Sequence, residues 1–390
     1  MKPAQPSFFV MIACVGGLAI LSSTLSKTPV LPLFAQSLHA TPAEIGWIVM
    51  ASTIPGILIS YPAGALSDYL GTRRLLLASL IVFATAPFLY LLVDTAVQLM
   101  AVRFYHGFAT AIFGTVANAA IAERYAADRA ARLSTYSSVT IVGRSIAPFL
   151  GGSLISLASF HAVYLACALS GVLALGVGLL LRDHTPQPKK KRELPHFWAS
   201  LATVLRDRNI MLVSLTEAAQ YLVFGAIEAF LALYAASLGL PAWEIGVILG
   251  VQLVSIVFAK PLMGKMSDRV GRRRVILPGL LIGAASVVLL PAASGFLALS
   301  VLSLVFGIGF ATVTSSTSAL VADLTRDGRY GSSMGVLRTV MDVGQSIGPV
   351  LTGWMVGSAG YASAFTLLAA ILVGAAIMFG LLLRDVPDRL

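Results

Sequence analysis

Long apolar runs alternate with short polar or Gly- and Pro-bearing breaks along the whole chain. A helix rises about 1.5 Å per residue, so roughly 20 mainly apolar residues cross a hydrocarbon core. The runs predict twelve such helices, at approximately 8–38, 43–66, 73–93, 97–122, 131–157, 160–182, 209–238, 242–266, 273–293, 295–323, 331–357 and 361–384. Barrel strands would be shorter and would alternate apolar with polar positions, and these runs do neither. The predicted class is an all-α membrane protein.

Two polar interruptions 200 positions apart carry the same punctuation. Gly64-Ala-Leu-Ser-Asp68-Tyr-Leu-Gly71-Thr-Arg73-Arg74 and Gly264-Lys-Met-Ser-Asp268-Arg-Val-Gly271-Arg-Arg273-Arg274 share both glycines, the serine, the aspartate and two arginines. The repeat continues outside the loop: Glu44-Ile45-Gly46 recurs as Glu244-Ile245-Gly246, Gly107 as Gly307, and Gly143 with Pro148 as Gly344 with Pro349. Internal repetition of this kind predicts two homologous halves of six helices in the same order and orientation. The long polar segment, with Pro186, Pro188, Lys189 to Arg192 and Pro195, separates them. The expected division is a first bundle at 1–182, a cytoplasmic linker at 183–208 and a second bundle at 209–390.

Only 11% of the residues are charged, against roughly 25% in soluble domains, and the mean hydropathy is +0.88. The formal net charge of +10 does not point to nucleic acid, because Lys and Arg occupy alternate loops and the two ends. The intervening loops, near 39–44, 94, 160–161, 238–244, 294–295 and 358–360, hold neither residue. By the positive-inside rule both termini are expected in the cytoplasm, which requires an even number of spans. The basic charge is thus topology, with some attraction to anionic lipid. Lys2 and the apolar stretch after it superficially match a secretory leader, but the stretch runs on to Pro29 and Pro32, so a retained first helix is expected.

These residues identify a family by resemblance. The Gly-x-x-x-Asp-x-x-Gly-x-Arg-Arg turn resembles the loop signature of the major facilitator superfamily, and its second copy is the better match because the first has Tyr69 and Thr72 at usually basic positions. The resemblance implies twelve transmembrane helices as two six-helix parallel-repeat bundles. It also implies a conformational latch at Gly64, Asp68, Gly71, Arg73, Arg74, Gly264, Asp268, Gly271 and Arg273, with Asp68 able to pair with Arg73 or Arg74. Arg103-Phe-Tyr-His-Gly107 looks like the fourth-helix signature of proton-linked members, in which a buried arginine assists proton transfer. Gly143, Pro148, Gly151 and Gly152, echoed by Gly344, Gly348 and Pro349, resemble the fifth-helix signature of antiporters, although Ala147 replaces a glycine and Arg144 is an unusual charge there. Small residues permit close helix packing and proline bends the helix.

Ionisable groups at membrane depth mark functional positions. The candidates are Lys27, Arg103 and Arg144 in the first half and Glu217, Glu228 and Asp342 in the second. Arg103, Glu217, Glu228 and Asp342 are the proton-coupling candidates, with Glu228 and Asp342 preferred because they lie farther from helix ends. Lys27, Arg144, Tyr221 and Phe224 are the substrate-cavity candidates, the aromatic pair being equally compatible with a lipid-facing position. The offset of 200 places Lys27 and Glu228 at equivalent positions, where they are expected to face each other or to be hydrated separately.

His39, His106, His161, His184 and His196 are scattered, Cys14 and Cys167 lie in predicted helices, and no phosphate-binding glycine loop is present. No catalytic residue, metal or cofactor is expected. The resemblance implies a monomeric secondary transporter of a bacterial inner membrane, with a small-molecule substrate, protons and lipid as its partners. Proton-coupled efflux of drugs or small amphipathic compounds and carriage of a specific metabolite both remain open. Helix 1 lacks the acidic residue of many drug exporters, leaving neutral, zwitterionic and anionic solutes possible.

Overall fold

The computed structural model describes residues 8–59, 71–125, 128–181, 204–325 and 330–383, and among them the backbone is helical with no strand. A chain in lipid must satisfy its amides and carbonyls internally, which a helix does within each segment. Ten described helical stretches are long and apolar enough to cross a membrane. One of these, Ser332–Leu382, is broken at Gly360, whose φ of 79° and ψ of 176° lie outside the helical region. Ala96–Arg124, which carries Arg103 and His106, completes a set of twelve among the described residues.

The helices are numbered 1 to 12 in chain order: Phe8–Ser37, Pro42–Ile59, Thr72–Tyr90, Ala96–Arg124, Arg129–Leu157, Phe160–Leu179, Arg208–Ser237, Ala242–Val270, Arg272–Val288, Phe296–Leu324, 330–359 and 361–382. Helix 1 departs from the uninterrupted run expected over 8–38. It consists of Phe8–Leu25 and Val30–Ser37 joined by a turn. Pro29 has no amide hydrogen to continue the ladder, and the turn is held by Lys27 N donating to Thr24 O and Leu31 N donating to Lys27 O, each at 3.0 Å. Lys27 therefore occupies a helix break rather than a helix. Helices 3 and 9 begin after Gly71 and Gly271, whose φ values of 86° and 103° are accessible chiefly to glycine.

The chain divides into two compact units: Met1–Ala40, Trp47–Lys189 and Pro241–Gly250 form unit 1, and Thr41–Gly46, Lys190–Leu240 and Val251–Leu390 form unit 2. Each unit thus takes one short segment from the opposite half of the sequence, and these segments contain the repeated Glu-Ile-Gly triplets. Unit 1 is centred on Ile12, Val15, Leu76, Leu80, Phe83, Phe113 and Ile121, from helices 1, 3 and 4. Its outward faces carry exposed apolar side chains such as Leu165, Leu169 and Leu173 of helix 6, the arrangement expected of a surface in contact with lipid rather than water. In unit 2 helix 7 is buried along nearly its whole length, from Ile210 to Ala235.

Candidate functional site

Helix 4 places Arg103 and His106 three residues apart, hence on one face. Arg103 is 4% exposed. Its Nη2 donates to Ser52 Oγ at 2.6 Å and its Nη1 to Tyr90 Oη at 3.3 Å, tying helix 4 to helices 2 and 3. Tyr90 Oη also lies 3.2 Å from His106 Nδ1, and its ring stacks on Tyr164 of helix 6 with centroids 4.5 Å apart and 5° between planes. Among the described residues the hydrogen-bond partners of this buried guanidinium, Ser52 and Tyr90, are neutral. Arg103 Nε, His106 Nε2 and Tyr164 Oη, all buried, have no hydrogen-bond partner among the described residues. A cation held in low dielectric by neutral groups alone leaves a positive field in the interior of unit 1.

The membrane-depth candidates of unit 2 are acidic. Glu217 on helix 7 is 3% exposed, and its Oε2 accepts a hydrogen bond of 2.7 Å from Thr317 Oγ1 on helix 10. One helical turn farther along, Gln220 is fully buried with both side-chain polar atoms unpartnered among the described residues. Glu228 is buried on the same helix, and Asp342 is half-buried on helix 11. Tyr221 and Phe224 pack on Phe310, with ring centroids 4.9 and 4.5 Å away. Phe224 is buried in this cluster and Tyr221 half-buried at its edge, so neither is a wholly lipid-facing ring. In unit 1, Lys27 is half-buried and Arg144 exposed.

Of the glycines resembling an antiporter signature, Gly143, Gly152, Gly344 and Gly348 lie at backbone contacts and Gly151 lies against side chains. In unit 1 a Cβ on Gly143 would press on Gly17 O, one on Gly151 on Val30, and one on Gly152 on Ala242 O and Gly246. In unit 2 a Cβ on Gly344 or Gly348 would come within 3.0 Å of the Ala218 or Leu222 backbone. Both units repeat one docking motif. Gly246 lies on Pro148 O and Gly152 in unit 1, whereas Gly46 lies on Pro349 O, and Gly353 on Pro42 O, in unit 2. Close backbone approach through small residues is how membrane helices gain contact when lipid competes equally for apolar side chains.

The repeated loop divides its arginines by task. Gly64 and Asp68 lie outside the described residues, so the expected pairing of Asp68 has no description. Arg73 Nε donates to Leu181 O, and its Nη2 to Leu179 O at 3.1 Å. At the matching position Arg273 Nη2 donates to Gly380 O. Each arginine therefore serves the carbonyl end of the last helix in its half, where bonding groups are unsatisfied and positive charge is favoured. Arg74 is exposed. Among the described residues of the second copy Arg272 forms ion pairs, bridging Asp268 and, at 3.1 Å, Asp323 at the end of helix 10. Gly264 has open space around it.

Sequence reasoning missed Ser52, Tyr90, His106, Tyr164, Thr317, Arg272 and Asp323 as members of these sites. The i,i+3 spacing of Arg103 and His106 was the one local signal available. The others come together only through packing between helices. Among the described residues no three His, Cys, Asp or Glu side chains form a metal-binding group.

Comparison with known proteins agrees with this architecture. The family profile of the Major Facilitator Superfamily matches residues 12–251 and 213–390. An uncharacterised MFS-type transporter of Methanocaldococcus jannaschii is 24% identical over 354 residues, 89% of this chain and 91% of that protein. The multidrug resistance protein MdtG of Enterobacter lignolyticus is 24% identical over 366 residues, covering 91% and 87%. A crystal structure of the nucleoside transporter NupG superposes with a TM-score of 0.83 at 15% identity, covering 96% of this chain and 99% of that one. Twelve helices, a repeated polar turn and a profile match across nearly the whole chain place it in the Major Facilitator Superfamily, as a membrane transporter and not an enzyme.

Proposed function

We propose that this transporter is a proton-coupled exporter that exchanges protons for small amphipathic compounds by alternating access. The observation that carries the reading is Glu217, a carboxyl buried inside unit 2 that accepts a hydrogen bond from the neutral hydroxyl of Thr317. A carboxyl can take up one proton and release it, and a charge at membrane depth is costly, so protonation alters the energy of the site that holds it. Glu217 thereby moves ahead of Glu228 and Asp342 as the first proton-coupling candidate in unit 2, and Arg103 is the candidate in unit 1. The likeness to MdtG, named for multidrug resistance, supports efflux as the direction.

In this reading residues 1–182 and 209–390 are the moving bundles and 183–208 the cytoplasmic linker. The protein works as a monomer in a bacterial inner membrane with both termini in the cytoplasm. Gly143, Gly151, Gly152, Gly344 and Gly348 keep the helices packed without leak, while the Asp268–Arg272 pair contributes to the latch.

The test is proton movement in energised everted vesicles. Adding a transported compound should collapse part of the acid-inside gradient, and Glu217→Gln should remove that response. Accumulation of a sugar or amino-acid-derived solute with no proton response would instead favour the metabolite-carrier reading. Silence across cationic, neutral and anionic panels would refute coupled export.

A further inference from the structure

We infer that Arg144 selects the substrate's charge: it is the binding residue for a compact oxyanion on an apolar body, making the transported compounds amphipathic organic anions. This inference names the substrate class and rests on the export reading above.

At about 100° of rotation per residue, Pro148 lies about 40° and Gly152 about 80° from Arg144 around helix 5. These two residues meet Gly246, Ser156 Oγ accepts a 2.9 Å hydrogen bond from Trp243 N, and Phe149 covers Gly250. From Pro148 onward, then, this sector of helix 5 is closed by Pro241–Gly250, within unit 1. Toward the Arg129 end the same sector holds Ser134, Ser137 and Ser138, all exposed. Exposed hydroxyls along a membrane-spanning helix fit a water-lined face better than a lipid face. Arg144 stands where that polar face ends and the closed contact begins.

The opposite side of the helix supplies the contrast. Val142 and Ile146, about 160–200° from Arg144, are apolar and 57% and 45% exposed, as expected of a lipid face, and the exposed Thr135 on that side, nearer Arg129, satisfies its hydroxyl on Ala131 O at 2.9 Å. Arg144 is exposed on the other side, with no ion pair among the described residues. Ile141, one turn away on its side of the helix, offers apolar contact beside the cation.

The membrane-depth charges of unit 1 are Lys27, Arg103 and Arg144, all positive. Its described acids, Asp94, Glu123, Asp128 and Glu244, stand in turns or within three residues of a helix end. A guanidinium on a water-lined face within such a unit attracts anions and repels cations, and its planar fork fits carboxylate, sulfonate or phosphate oxygens in pairs. The repeat contains its own control. With Gly143 matched to Gly344 and Pro148 to Pro349, Arg144 corresponds to Gln345, so the second unit presents a neutral amide at the equivalent place.

The experiment uses the full chain in proteoliposomes under an imposed pH gradient. Two probes share one aromatic body: naphthalene-2-sulfonate and (2-naphthylmethyl)trimethylammonium. The sulfonate should be carried with saturation, and the ammonium about tenfold more slowly or not at all. Arg144→Gln should raise the sulfonate KM by about tenfold or more, and Arg144→Lys should recover part of the loss, both variants unfolding at the wild-type temperature because the side chain is exposed. Preferred transport of the ammonium, no transport of either probe, or an unchanged sulfonate KM in Arg144→Gln would overturn the inference. Ammonium exchanged for protons would overturn it while leaving coupled export standing. Sulfonate carried without proton movement would support the anion site and remove the coupling.

Discussion

Thr317 Oγ1 reaches Glu217 Oε2 across 2.7 Å and joins helices 10 and 7 inside unit 2. Glu217→Gln preserves size and can still accept the Thr317 hydrogen bond, but it cannot carry a proton. Proton-driven accumulation should disappear while substrate exchange without a gradient persists. Thr317→Val should weaken coupling less, because one hydrogen bond to a charged group contributes about 1.5–3 kcal/mol. Counterflow and gradient-driven uptake measured on the same vesicles separate these outcomes, and normal gradient-driven uptake by Glu217→Gln would exclude Glu217 as the carrier.

Arg103 bonds Ser52 and Tyr90 through two different nitrogens. Lysine supplies charge but no planar fork, so Arg103→Lys should fail to restore activity lost in Arg103→Ala. A double-mutant cycle of Arg103→Ala with Tyr90→Phe should show coupling of about 1 kcal/mol or more in thermal unfolding. Full rescue by lysine would reduce the arginine to a charge without directed contacts.

The neighbours Arg272 and Arg273 should separate by assay. Arg273→Ala strips a donor from Gly380 O at the end of helix 12, and a lost cap costs about 1 kcal/mol. Its melting temperature should fall. Arg272→Thr, which copies Thr72 of the first repeat, breaks two pairs, to Asp268 and Asp323, whose carboxylates are 61% and 46% exposed while Arg272 is 18% exposed. Pairs to exposed carboxylates contribute about 0–1 kcal/mol each, so its stability should fall by no more than about 2 kcal/mol while transport rate changes if the pairs act in the latch. An unchanged transport rate in Arg272→Thr would contradict this division of labour.

At Gly246 a Cβ would meet Pro148 O and Gly152 at or below 3.0 Å, whereas at Gly114 it would meet nothing within 4 Å. Overpacking of this kind costs about 1–3 kcal/mol. Gly246→Ala should lower stability or transport, and Gly114→Ala should leave both intact. A Gly246→Ala protein indistinguishable from wild type would show that this contact relaxes freely.

Much of the architecture is legible in the sequence. Apolar run lengths predicted the spans, and the 200-residue offset predicted two halves with matching glycines. The break in helix 1 was less legible: Pro29 and Pro32 marked it, but the hydrophobic run continues through it and masked the turn that holds Lys27. The sites were legible only as residue types. Arg103 and Glu217 stood out because charge is rare at membrane depth, yet Tyr90, His106 and Thr317 looked like ordinary members of apolar helices.

The amino-acid sequence by itself determined the class, the repeat and the distribution of charge, because partition into lipid depends on local composition and loop charge. Tertiary structure decided which groups meet. Thr317 is 100 positions from Glu217 and Leu181 is 108 from Arg73, so their contacts depend on how helices rotate and pack. Packing also separated Arg272 from Arg273 and set Arg144 at the edge of a glycine contact. Each of those outcomes turns on direction around a helix axis and on a distant backbone, which no local pattern encodes.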